Sequence, residues 1–239
     1  MIDNNFELTK ENLDLYLKAV AKEYKKLNRK GIPAEIIIVG GASILINYSF
    51  RLSTTDIDAY TQASSNLKDA INYVADKYDL PNGWLNSDFR MTDSFSEKIF
   101  LYSKHYKTFY NIFNVRSVSR EYLIAMKMRS GRKYRNDLSD IIGILAEHMS
   151  RNDPISLEEI QKAYVDLYGD LNSLSKETAD FITSIYSSSD VQMLYQEIKK
   201  RETDSKTMLI EFDTKYPGIT NESNVNLILE TLRKREQEK

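Results

Sequence analysis

The 239-residue chain is 41% hydrophobic and 28% charged, with a formal net charge of -2. That suffices for a sizeable core, as one domain with a helical extension or two small domains, and excludes a uniformly basic nucleic-acid coat. No cysteine and only two histidines, His105 and His148, exclude disulfides, iron–sulfur clusters, thiolate zinc and His-rich centres, so any metal would be oxygen-ligated Mg²⁺ or Mn²⁺. With no apolar run of about 18 residues and no signal-peptide pattern at the N-terminus, a cytoplasmic protein without a membrane partner is expected.

Leu13, Leu17, Val20, Tyr24 and Leu27 recur at helical spacing, and Gly31 stops the helix. Ala34–Val39 reads as a short buried strand of β-branched residues. Gly40 and Gly41 follow at once, and a helical pattern resumes over Ala42–Tyr48. A polar connection leads to Asp56–Tyr60, which alternates like a strand. Leu67–Tyr78 is helical, and Pro81–Asn82–Gly83 turns the chain before Trp84–Leu85–Asn86. Aromatic and β-branched density between Lys98 and Ser117 predicts one or two strands, with Phe109–Ser117 the clearer. Ser119 caps a helix to Ser130, Gly131 interrupts it, and another runs from Asn136 or Asp137 to His148. After Pro154 only helices are predicted, near Ser156–Tyr168, Ser175–Ser187, Val191–Tyr216 and Asn221–Lys234. The expected fold is α/β (α+β), with residues 1–150 a catalytic unit and 151–239 a helical region.

The chemistry concentrates in Asp56 and Asp58. Residues i and i+2 of a strand share a face, so both carboxylates project together while Ile57 enters the core. Alone, such a triplet is ordinary on a solvated turn. Adjacent carboxylates repel, however, and a divalent cation removes that penalty and can carry a triphosphate. Upstream, Gly40–Gly41 ends a buried strand and opens a helix, where glycines admit phosphate oxygens to the backbone amides and Ser43 adds a hydroxyl. The turn is neither a dinucleotide fingerprint nor a Walker loop.

Gly40-Gly41-Ala42-Ser43, followed 13 residues after Ser43 by the first acid of Thr55-Asp56-Ile57-Asp58, resembles the signature of the DNA polymerase β-like nucleotidyltransferase superfamily. The resemblance implies a nucleotidyltransferase fold, a small mixed sheet flanked by helices, with the glycine turn holding an NTP and the Asp pair holding the metal. Tyr122–Lys127, Arg129, Gly131, Arg132 and Asn136–Ile141 are similar to a region of AbiEii-type toxins and related bacterial nucleotidyltransferases, as is Trp84-Leu85-Asn86. That likeness implies that Lys127, and less strongly Arg132, contact the triphosphate, that Asp137 or Asp140 organises the site, and that Thr54 is the threonine kept two residues before the first acid. Two features depart from the pattern. An arginine expected four residues before Asp56 is replaced by Leu52, with Arg51 beside it, and Phe109–Ser117 offers Asn111 and Asn114 but no third carboxylate.

Between Lys104 and Arg135 stand nine Lys/Arg (Lys104, Lys107, Arg116, Arg120, Lys127, Arg129, Arg132, Lys133, Arg135) against one acid, Glu121, in a chain that is acidic overall. Such a segment would draw a polyanion toward the metal site. The toxin resemblance implies an RNA acceptor, such as a tRNA 3′ end, and a cognate antitoxin partner. Transfer to a small hydroxylated molecule such as an antibiotic, or a catalytically silent binding module, are the alternatives.

Overall fold

The computed structural model describes residues 6–62, 65–132, 134–221 and 224–237. Its elements in chain order are α1 (Lys10–Leu27), β1 (Ala34–Ile38), α2 (Gly40–Asn47), β2 (Ile57–Gln62), α3 (Asn66–Tyr78), β3 (Leu85–Asn86), a 3₁₀ turn at Asp88–Met91, α4 (Ile99–Tyr102), β4 (Lys104–Phe109), β5 (Phe113–Ser117), α5 (Arg120–Ser130), α6 (Asp137–Ser150), α7 (Leu157–Tyr168), α8 (Lys176–Ser187), α9 (Val191–Lys215) and α10 (Val225–Gln237). The strands form a mixed sheet in the order β3-β2-β1-β5-β4. Strand β1 runs antiparallel to β2 and parallel to β5. Its Ile36, Ile37 and Ile38 are buried because neighbours cover both edges and helices cover both faces.

The sheet divides the apolar interior into two cores. Ile36, Ile38, Ile57, Ala59 and Val115 meet α1 and α3 on one face, closed by Leu13, Leu17, Tyr24 and Val74. Ile37 and Val39 meet the other core, built from α5, α6 and the later helices through Leu123, Ile141, Ile144, Ile160, Ile182 and Ile198. The helices after residue 150 therefore pack on the same apolar mass as α5 and α6; α7 lies against α5, and α9 against α6.

Local sequence sets the boundaries. Ser156 accepts from the Glu159 amide at 3.2 Å while Glu159 returns to the Ser156 amide at 2.7 Å, a reciprocal cap that starts α7. Asp190 caps α9 through the Met193 amide at 2.8 Å. Of the one or two strands expected between Lys98 and Ser117, two are present, but Phe109–Ser117 holds the end of β4, a turn and β5 rather than one strand. Tyr110 and Asn111 both adopt positive φ, turning the chain between β4 and β5. Strand β2 begins one residue later than expected, so Asp56 sits just before the strand and Asp58 on it.

Phe50, in the connection between α2 and β2, seats its ring on α6 at Gly143. A Cβ placed there would lie 2.5 Å from the ring. The same ring meets Tyr195 of α9 edge-on at 6.1 Å, so one aromatic joins the loop, α6 and α9. Alanine normally favours a helix over glycine by about 1 kcal/mol, whereas overpacking costs about 1–3 kcal/mol. Gly143→Ala is expected to lower the urea midpoint, and the same change in a Phe50→Ala background to be neutral or stabilising. Equal effects in both backgrounds would contradict this packing.

Candidate active site

Strand β1 delivers Val39 to the start of α2, and the turn there is glycine for two separate reasons. Gly40 adopts φ +61°, a left-handed conformation, and a Cβ on it would lie 3.2 Å from Oδ2 of Asp58. At Gly41 a Cβ would lie 2.5 Å from Thr54 Oγ1 and 3.0 Å from an Arg51 guanidinium nitrogen. The backbone is thus pressed against Asp58 on one side and the Arg51–Thr54 connection on the other. Thr54 is itself pinned, its amide and carbonyl both bonded to Leu8. First-turn amides of a helix have no intrahelical acceptor, so the start of α2 presents donors beside Asp58.

Asp56 and Asp58 are half-buried, and among the described residues neither is ion-paired. Burial, then the neighbouring charge of Asp56, push Asp58 up to about 6, partly offset by Arg132, Lys127 and Arg135. A carboxylate held against repulsion in this way suits a divalent cation, which takes oxygen donors and completes its shell with phosphate or water. No group of three or more His, Asp or Glu side chains that could hold a metal ion gathers among the described residues.

Behind the pair lies a buried ionic network. Lys127 Nζ, on α5, donates to Asp137 and Asp140 at 2.8 Å each. Asp140 also holds Arg51 at 2.8 Å, and Asp137 holds the Arg132 side chain at 3.0 Å. Asp137 and Asp140 sit three residues apart on α6, which puts both on the face toward α5. Burial alone would raise the Asp137 pKa, yet Lys127 and Arg132 hold it well below the usual carboxylate range. Burial likewise opposes the Lys127 charge, and the two aspartates keep it protonated. Three cations against two carboxylates leave one positive charge, next to Asp58.

The sequence-expected residues are thus brought together unequally. Asp56, Asp58, Gly40, Gly41 and Arg132 surround one region. Lys127, Asp137 and Asp140 lie directly behind it, satisfied by one another, with Lys127 occupied by both aspartates. Thr54 is buried against Gly41. Ser43 is turned away: fully buried, its hydroxyl bonds Ser117 Oγ at 2.7 Å and the Val118 carbonyl, fastening α2 to the end of β5.

Among the described residues, several cations of the basic segment are partnered within the protein. Arg116 donates to the Phe100 and Ser103 carbonyls, Arg120 pairs with Glu121, Asp153 and Glu159, and Arg129 donates to the Asp93 and Ser173 carbonyls. Lys133 lies outside the described residues. Many of these cations neutralise acids or carbonyls distant in sequence, which counting charges along the chain does not reveal.

Two residues that the sequence did not single out for the site belong to its support. Arg51 is the nearest arginine to the departure at Leu52, and it reaches Asp140 from the loop, donating also to the Ser53 carbonyl at 3.0 Å. Glu202 of α9 accepts from the Leu138 and Ser139 amides at 2.9 and 3.3 Å, capping the start of α6 from outside. Burial pushes Glu202 up to about 7 against those hydrogen bonds. Lys199 adds a 2.9 Å bond to Asn136. A sequence signal exists for Arg51 in its position before the acids; for Glu202 there is none.

A pocket of about 480 Å³ lies between α5, α8, α9 and α10. Its Glu177, Glu202 and Glu230 are matched by Arg129, Arg201 and Arg233, so it is not an acidic cage. No helix among the described residues is long and apolar enough to cross a membrane.

The arrangement of a carboxylate pair, a glycine turn at a helix start and a cationic backing on a small mixed sheet defines a nucleotidyltransferase-like domain. The chain belongs to the family described as nucleotidyltransferase of unknown function (DUF6036), whose model matches residues 16–202. That span reaches from α1 through Glu202 and so takes in both the site and the α9 residue that caps α6. Neither the curated proteins nor the solved structures contain a match to the chain.

Removing one member of a buried ion pair strands the other and costs about 3–5 kcal/mol, whereas an exposed pair is worth at most about 1 kcal/mol. Asp137→Asn is therefore expected to lose about 3 kcal/mol in urea unfolding. Lys162→Ala, which removes an exposed pair with Asp166 on α7, should lose under about 1 kcal/mol. Similar losses for the two would show that the network is not the strong constraint its burial indicates.

Proposed function

We propose that the protein transfers a nucleoside monophosphate from an NTP to an acceptor hydroxyl. The observation that carries this reading is the contact of Asp58 with the left-handed Gly40 turn, in front of the surplus charge of the Arg51–Lys127–Arg132 network. Asp56 and Asp58 are the residues that would hold Mg²⁺ or Mn²⁺, which when bound neutralises phosphate charge during the transfer. The first-turn amides of α2 at Gly40 and Gly41 take phosphate oxygens. Arg132, whose side chain is 35% exposed, reaches the triphosphate. Lys127 contributes its field from behind, fixed by Asp137 and Asp140, while Thr54 and Ser43 hold the turn rather than the substrate. The acceptor oxygen bonds to the α-phosphorus as the bond to the bridging oxygen breaks, and pyrophosphate leaves while the hydroxyl gives up its proton.

In this reading residues 1–150 form the catalytic unit and 151–239 brace it, since Glu202 and Lys199 hold the start of the helix that carries Asp137 and Asp140. RNA, including a tRNA 3′ end, is the proposed acceptor, and a toxin paired with a protein antitoxin the proposed setting, in line with the sequence resemblance to AbiEii-type proteins. The balanced charges of the pocket between α5 and α10 speak against a polycationic antibiotic as acceptor.

Incubation with each α-labelled NTP, Mg²⁺ and total RNA tests the reading directly. Label is expected in the RNA fraction, reduced at least about 100-fold in an Asp56→Ala/Asp58→Ala variant, since removing one group that stabilises transition-state charge typically costs about 10²–10³ in rate. Labelling that survives the double substitution would refute the site, and no labelling of any RNA would refute the acceptor.

A further inference from the structure

A second concave surface lies on the other side of the sheet from Asp58. Helices α1 and α3 pack on the sheet face formed by Ile36, Ile38, Ile57 and Ala59, whereas Asp58 alternates to the opposite face. The outer side of α1, together with α3 and the β4 end of the hairpin, encloses a groove of about 640 Å³. Five lysines line it (Lys18, Lys22, Lys26, Lys77 and Lys107) against two acids, Asp14 and Glu23, a local balance of +3. The whole chain sums to -2, so everything outside the groove sums to -5. Both acids are already neutralised, Asp14 by Lys107 and Glu23 by Lys26, at 2.7 Å each.

The same groove is lined by aromatic rings. Tyr73 and Tyr110 are 49% and 40% exposed, and Tyr78 and Phe109 stand beside them. An ammonium sits over each of these four rings, at 5.2–6.0 Å from its centroid: Lys26 over Tyr73, Lys25 over Tyr110, Lys77 over Tyr78 and Lys107 over Phe109. Exposed cation–π contacts are worth about 0.5–1 kcal/mol, and stacking a nucleobase on an aromatic ring about 1–3 kcal/mol. A base stacked on one of these rings would therefore outcompete the lysine for the π-face.

We infer that this α1–α3–β4 groove is a binding site for single-stranded nucleic acid, separate from the Asp56–Asp58 face. Cations and π-faces side by side in one groove match a strand that presents phosphates and unstacked bases. An acidic peptide has no flat bases for the tyrosines. A duplex hides its bases, and an anionic bilayer is too flat to enter a trough. Binding here needs no nucleotidyl transfer, so it stands or falls apart from the catalytic proposal.

The test is fluorescence anisotropy of the full chain with 5′-fluorescein 12-mers of oligo(U) and oligo(dT), a duplex of the same length, and vesicles containing phosphatidylserine. Lys18, Lys22 and Lys77 are exposed, so charge reversal there should leave the fold intact. Lys18→Glu/Lys22→Glu/Lys77→Glu should weaken single-strand binding at least tenfold and make the log–log salt slope shallower by about 2, three contacts at about 0.7 each. Tyr73→Ala/Tyr110→Ala should weaken it about tenfold with the slope little changed. The α9 control Lys200→Glu/Lys206→Glu/Lys215→Glu should bind like the parent. The inference is overturned if neither oligomer binds, if the α9 control loses as much as the groove variant, or if duplex or vesicles bind as well as single strands. The difference between oligo(U) and oligo(dT) tells RNA from DNA as the preferred strand.

Discussion

The most demanding constraint in this molecule is the placement of one lysine and two aspartates out of water. Lys127, Asp137 and Asp140 are all buried, and their charge is tolerable only because each is held by at least one opposite charge at 3 Å or less. Meeting that condition fixes the positions of three chain segments at once. Helix α5 supplies Lys127, α6 supplies both acids, and the loop before β2 supplies Arg51, which also lies against Gly41. The glycine turn, the Asp56–Asp58 pair and the helices behind them are therefore referenced to one electrostatic frame. The odd positive charge of that frame sits where Asp58 is disfavoured as an anion by burial and by Asp56.

The helices beyond residue 150 have a physical role in the same frame. An isolated α6 would begin with unsatisfied amides next to two buried carboxylates. Glu202 meets two of those amides, and Phe50, Gly143 and Tyr195 lock α6 to α9 and to the loop that carries Arg51. The family match ends at residue 202, so this cap lies inside the matched span. The sheet meanwhile separates the two surfaces of the molecule. One face, with Asp58, looks toward the charged network, and the other is covered by α1 and α3 with their lysine-bearing outer side.

Much of the fold was legible because periodicity and local capping coincided. Leu13, Leu17, Val20 and Tyr24 announced α1, and Ser119 the start of α5, each through residues close in sequence. The hairpin at Tyr110–Asn111 was not, since it depends on two left-handed residues where neither glycine nor an Asn-Gly pair gives notice. In the site, Asp58 and Gly40 could be read together because a strand's alternation and a glycine turn carry geometric meaning by themselves. Ser43 misled for an equally physical reason: its position in the first turn suits a phosphate ligand, but its hydroxyl is spent on Ser117. Counting basic residues from Lys104 to Arg135 does not reveal how Arg120 is partnered, because Asp153 and Glu159 are distant in sequence. Glu202 emerges only once the chain is folded, since it caps α6 across more than 60 residues of sequence.

The central claim is that the Asp56–Asp58 pair and the turn beside it form a joint site for a divalent cation and a nucleoside triphosphate. Titration of Mn²⁺ followed by electron paramagnetic resonance, with and without a non-hydrolysable NTP analogue, addresses it most directly. The account predicts that nucleotide and Mn²⁺ each tighten the other's binding at least tenfold, and that Asp58→Asn abolishes this mutual effect while the protein remains folded. Nucleotide binding that is unchanged by Mn²⁺, or a coupling preserved in Asp58→Asn, would contradict it.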